Sequence, residues 1–161
     1  MTNFTKSGII LLTGYEGEKL NMKISTSELK QKHGQEVTEE FINEMLKYFR
    51  ISPHAINEMR KRTSFVNLVE ERYVRDDGVV VPDYIKTIHN IKSAIKNYTL
   101  AYINTDGSIN IALSDYDYFV FEYDENNEYW VLVTFKEKSW HNITIHQKHQ
   151  MAIDGYDRKY A

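Results

Sequence analysis

A chain of 161 residues, 42% hydrophobic and 27% charged, has the size of one domain and too much apolar content for intrinsic disorder. The absence of cysteine excludes disulfides, thiolate metal ligands and a thiol nucleophile, and seven Gly with two Pro exclude a collagen-like chain. The formal charge of −3 gives no global attraction to nucleic acid or to an anionic membrane surface, so any function must be sought in local motifs.

The apolar runs Gly8–Leu12 and Val79–Val81 are far shorter than the roughly 20 residues that span a bilayer. A single lysine ahead of a very short apolar stretch makes a poor secretory leader, and with cysteine absent a cytoplasmic protein is expected. No repeat and no linker-like composition interrupts the chain.

Gly8–Thr13 and Leu20–Ile24 read as short strands around a GYEGE turn. Ser25 opens a short helix ending near Gly34, with Glu28 placed to complete a capping box. Thr38-Glu39-Glu40 opens a second helix, whose Phe41, Met45, Leu46 and Tyr48–Phe49 recur at helical spacing. Ser52-Pro53 starts a third, Pro53–Arg62, since Ser is a favoured cap and Pro suits a first helical position. Thr63 or Ser64 caps a further helix, Phe65–Val74, before the break at Asp76-Asp77-Gly78. Pro82-Asp83 introduces the helix Tyr84–Tyr98, with Ile85, Ile88, Ile91 and Ile95 on one side.

Beyond Tyr98 the apolar period falls to two. Leu100–Asn104 and Ile109–Leu113 flank the hairpin dipeptide Asp106-Gly107, and Tyr116–Tyr123 and Glu128–Lys136 flank Asp124–Asn127. Ile143–Ile153 is the last helix, with Gly155 as its stop. The expected fold class is α+β: N-terminal helices packed on a four-stranded antiparallel meander, with a closing C-terminal helix. Residues 1–161 form one domain in this reading.

His54 lies in the first turn of its helix, where free amides and the dipole favour a neutral imidazole, the form a general base requires. Lys61 shares its face and Arg62 lies at the edge of that face, offering cations for phosphate; Glu58 shares the face as well. A solvated, well-capped helix accounts for the same pattern. A second group comprises Thr134 and Lys136 on the last strand, then His141, His146, Lys148 and His149. The three histidines show no familiar metal-ligand spacing, so no metal or cofactor is expected. Lys148 can serve a phosphate instead.

Residues 115–128 hold six carboxylates and no Lys or Arg, so the net charge hides an acidic hairpin of −6 within a remainder of +3. That hairpin can contact a basic protein, or simply be charged against edge pairing. Tyr116, Tyr118, Phe119, Phe121 and Tyr123 suit sheet packing better than base stacking, because no Lys or Arg lies among them. Gly14 and Gly17 do not have phosphate-loop spacing.

Ser52, His54, Ala55, Met59 and Arg62, then Val133-Thr134, then Lys148-His149, make the chain resemble the barnase–EndoU–colicin–RelE superfamily of small ribonucleases, closest to its RelE-like and phage-associated, toxin-like branches. The resemblance covers residues 51–155 and leaves 1–50 as an accessory N-terminal layer. It implies metal-independent RNA cleavage by attack of the ribose 2′-hydroxyl on the adjacent phosphorus. In that scheme His54 is the base, Arg62 and Lys148 hold phosphate, Thr134 orients, and His149 or His146 is the acid. Glu58 departs from the pattern, because a basic residue often stands there and a carboxylate repels phosphate. The competing expectation is a non-catalytic protein-binding module, such as a phage-encoded inhibitor or regulator, which uses residues 115–128 with Tyr as an interface residue.

Overall fold

The computed structural model describes residues 24–61, 66–69, 72–137 and 143–156. The expected strands before Ile24 lie outside them. The class is α+β, and helices and strands follow in the order α1 (Thr26–Gln31), α2 (Glu39–Leu46), β1 (Phe49–Ile51), α3 (Pro53–Lys61), a 3₁₀ turn (Val66–Val69), β2 (Arg72–Val74), β3 (Val80–Pro82), α4 (Tyr84–Ile95), β4 (Leu100–Ile103), β5 (Ile109–Ala112), β6 (Tyr118–Asp124), β7 (Tyr129–Lys136) and α5 (Ile145–Ile153).

Local chemistry explains most helix starts. The side chains of Ser25, Thr38, Asp83 and Thr144 each accept an amide of the first turn, from Glu28, Phe41, Lys86 and Gln147 respectively. A reciprocal capping box is present at Thr144–Gln147. Gly107 turns the β4–β5 hairpin at φ 86°, a conformation that a side chain would disfavour.

The meander β4-β5-β6-β7 is antiparallel throughout, as expected, but the sheet has a fifth strand. β1 lies parallel to β7 at its edge, pairing Phe49 with Trp130 and Ile51 with Leu132. Phe49 therefore ends no helix: α2 stops at Leu46, and Phe49 turns into the core as a strand residue, fully packed beside Phe121. A second correction concerns Phe65–Val74. Among its described residues Val66–Val69 form a 3₁₀ turn and Arg72–Val74 form β2, paired with β3 across the Asp76–Gly78 turn.

Alternation along the strands sorts the side chains between two faces. On the first face Ala101, Ile103, Ile109, Ile111, Phe119, Phe121, Leu132 and Phe135 pack against residues of α1 to α4. Phe41 meets Trp130 edge to face there, at 5.8 Å. Fully burying a side chain of this kind contributes roughly 1.5–3 kcal/mol. On the second face Leu100, Tyr102, Ala112, Tyr118 and Val120 pack against Ile145 and Ala152 of α5. Helices thus lie on both faces, and the sheet separates α3 from α5.

The free edge of β4 is closed by residues 34–37. Gly34 and Val37 donate to the carbonyls of Ile103 and Ala101, and Ile103 donates to Gln35. Leu29, Val37, Phe41, Ile42, Met45 and Leu46 belong to the same apolar cluster as the sheet, so the described part of residues 1–50 shares its core. No helix among the described residues is long and apolar enough to cross a membrane.

Candidate functional site

Ser52 fixes the start of α3. Its amide donates to Leu132 O at 3.0 Å, its hydroxyl donates to Val133 O at 3.0 Å, and the same oxygen accepts Ala55 N–H at 3.0 Å. Val133 is the extra residue of a bulge, since Val120 pairs with Thr134 and Phe121 with Leu132. The cap therefore ties α3 to β7 at an irregular point of the sheet. Ala55 and Met59 are completely buried. Three residues of the Ser-x-His-Ala…Met pattern thus have packing or capping duties, which leaves His54 exposed at the helix start. Glu58 and Lys61 face each other at 3.5 Å, and Lys61 is largely exposed. Arg62 and His141 lie outside the described residues.

The other expected residues lie on the far side of the sheet from α3. Thr134 shares the face of its partner Val120 and is buried, with its hydroxyl oxygen unpartnered among the described residues. Lys148 Nζ stands 5.8 Å over the Tyr118 ring. His149 donates from Nε2 to Gly34 O at 2.7 Å and stacks on Tyr102 with ring centroids 4.6 Å apart. His33 makes the converse bond, Nδ1 donating to Ala152 O at 2.6 Å. Two imidazoles thus clasp the end of α1 to α5. His146 is exposed on α5. Lys148, His149 and Thr134 share one sheet face, whereas His54 belongs to a helix packed on the other. No group of three His, Asp or Glu side chains among the described residues is placed to hold a metal.

Beneath α5 runs a buried polar chain. Asn104 Nδ2 donates to Ser108 Oγ and to Asn110 Oδ1, and Asn110 Nδ2 donates to the Tyr102 hydroxyl at 2.8 Å. Asn104, Ser108 and Asn110 are all nearly inaccessible. This chain braces the residue on which His149 stacks.

The acidic segment is built firmly. Asp124 accepts amides of Asn126 and Asn127, and the Asn127 side chain first of all holds its carboxyl below the usual range. Glu125 accepts the amide of Thr26 at 2.8 Å, so the hairpin tip caps α1. Tyr118, Phe119, Phe121 and Tyr123 are buried and serve the core, as their pattern predicts, whereas Tyr116 precedes β6 and is only half-buried.

Sequence reasoning missed a cluster at the β1 end of the sheet. Register places Arg50, Val131 and Glu122 on the second face, with Tyr129 and Asp124 one step along it. The apolar cluster beneath α5 contains none of these residues, and Arg50 and Glu122 are exposed. Arg50 lies 5.2 Å over the Tyr129 ring, and Tyr48 meets Tyr129 edge to face at 6.0 Å. A hydrogen bond with Tyr48 first of all, then electrostatic interaction with Tyr48 and Tyr129, raises the guanidinium further above its ordinary value. The signal was available in principle: Tyr48-Phe49-Arg50-Ile51 alternates with period two. Comparison with known proteins finds no matching family model, no matching curated protein and no matching solved structure.

Proposed function

We propose that the chain is a protein-binding module of the inhibitor or regulator kind, and that its contact surface is the uncovered β1 end of the sheet. The observation that carries this reading is the Tyr48–Arg50–Tyr129 cluster, left outside the cover of α5 and bordered by Glu122, Asp124, Glu125 and Glu128. Tyr and Arg dominate binding energy at interfaces because they combine large contact area with directed polar groups. A border of carboxylates selects a basic partner and speeds its encounter. The hairpin is held in place by the contacts of Asp124 and Glu125, so little ordering is lost on binding.

RNA cleavage is the second reading, and exposed His54 at the capped start of α3 is what favours it. It ranks below because Thr134 is buried and His149 is spent on the α1–α5 clasp. One experiment separates the two. Tyr48→p-benzoylphenylalanine is expressed in cells and irradiated, alone and combined with Glu122→Lys and Glu128→Lys. A cross-linked protein rich in Lys and Arg, lost in the charge-reversed chain, is expected. Cross-linking to RNA instead, or RNA cleavage in EDTA that His54→Ala abolishes, would overturn the binding reading in favour of the nuclease.

A further inference from the structure

A cavity of about 250 Å³ opens between α2 and α4, lined by none of the residues of the surface proposed above. Its apolar wall is Ile42, Leu46 and Ile95, and its polar edge includes Lys92 and Lys96. Lys92 in the last turn of α4 and Lys96 at its C-cap are four residues apart, so the two positions share a face. Neither forms an ion pair with a carboxylate of the described residues. Like charges at this spacing repel, the helix C-terminus offsets part of that repulsion, and an anion between them relieves the rest. Lys47, on the same edge, already holds Glu44 at 2.9 Å.

We propose that this cavity binds a small amphiphilic carboxylate, its apolar body against Ile42, Leu46 and Ile95 and its head on the ammonium groups of Lys92 and Lys96. Pockets for small ligands commonly have this composition, mostly apolar with a few charged groups that fix orientation. The head is monoanionic for an electrostatic reason. Leu46 and Ile95 end their helices, so the negative poles of two helix dipoles lie at the cavity; they oppose any anion that the lysines attract, and a dianion more than a monoanion. Glu39, exposed at the other end of α2, repels the head from that end and sets its direction. Tyr98 lies within reach of the Glu39 charge; burial first, then Glu39, Glu36 and Glu40, push its hydroxyl up, so that wall stays neutral.

The test is a titration of the ¹³C-methyl-labelled full chain with octanoate, octanol and octyl phosphate. Octanoate is expected to give saturable shifts at the methyls of Ile42, Leu46 and Ile95, with Ile111 unmoved. Octanol, and octanoate on the Lys92→Gln/Lys96→Gln chain, are each expected to bind about tenfold more weakly, the equivalent of roughly one charge-assisted contact. Unchanged Ile111 shifts in the variant show that its fold is intact. Absence of saturable shifts, equal binding of octanol, or full affinity in the double variant overturns the site; tighter binding of octyl phosphate overturns the choice of head.

Discussion

Gly34 and Gly78 allow the cost of the α1–α5 clasp to be measured against an internal control. Both hold left-handed φ values, 85° and 87°. Alanine at either position therefore pays the same backbone penalty, about 1–2 kcal/mol. Their surroundings differ completely. A Cβ on Gly78 meets nothing within 4 Å, whereas a Cβ on Gly34 would lie 2.6 Å from Ile153 Cα and 3.0 Å from its backbone nitrogen. Backbone cannot yield as a flexible side chain can, so α5 must move away. Its movement breaks the His149–Gly34 and His33–Ala152 bonds, each worth about 1 kcal/mol net. Gly34→Ala is thus expected to lose about 2 kcal/mol more than Gly78→Ala, beyond any loss of packing over Tyr102. In urea unfolding followed by tryptophan fluorescence, the midpoint should fall further for Gly34→Ala at unchanged slope. In a chain of this size the melting temperature should separate by about 4–8 °C. Equal losses in the two variants would refute the clasp as a tertiary constraint.

Asn110 is the hinge of the buried polar chain, and Asn110→Ala removes the donor to the Tyr102 hydroxyl and the acceptor of an Asn104 N–H. The expected loss is about 1–3 kcal/mol in the same urea assay, because the buried Asn104 N–H loses its acceptor and forfeits its desolvation cost; a loss below about 0.5 kcal/mol would show that water replaces the amide. Stability should also fall in alkali. Burial, ahead of the neighbouring carboxylates, raises the hydroxyls of Tyr98 and Tyr123 above their ordinary value, so the folded state keeps them protonated where the unfolded chain has begun to ionise. Their contribution is complete below pH about 10 and is lost as pH rises through the raised values. The lowered carboxyls of Asp77, paired first with Arg75, and Asp124 work in the opposite direction: their contribution is present above pH about 4 and is lost on acidification. Melting curves of Tyr98→Phe and Tyr123→Phe between neutral pH and pH about 11 check the alkaline side, where each variant should flatten the decline.

Elements governed by near neighbours along the chain are legible in the sequence. Ser25, Thr38, Ser52 and Asp83 cap helices because a short polar side chain reaches an amide about three residues on, and Gly107 turns a hairpin because a left-handed residue costs it little. Period-two alternation finds β4 to β7, and the burial of the Tyr-rich strand follows from the lack of interleaved cations. The helical spacing of Tyr48–Phe49 with α2 hides the short period-two alternation of β1, which is fixed as a strand only by β7, some eighty positions later. Periodicity misses β2 for a similar reason: Arg72–Val74 takes its shape from its partner β3.

The candidate site divides along the same line. His54 at a helix start is a local property, and the structure keeps it exposed there. Whether His54, Thr134, Lys148 and His149 face one another is a matter of which sheet face each helix covers. Periodicity says that a face exists and does not say which one. Tertiary packing put α3 on one side and α5 on the other, bound His149 to a carbonyl 115 positions away, and left Tyr48, Arg50 and Tyr129 together in the open. Capping and turn chemistry act over a few residues, so the chain alone carries them. The pairing of distant surfaces is decided only when the whole apolar content is buried at once.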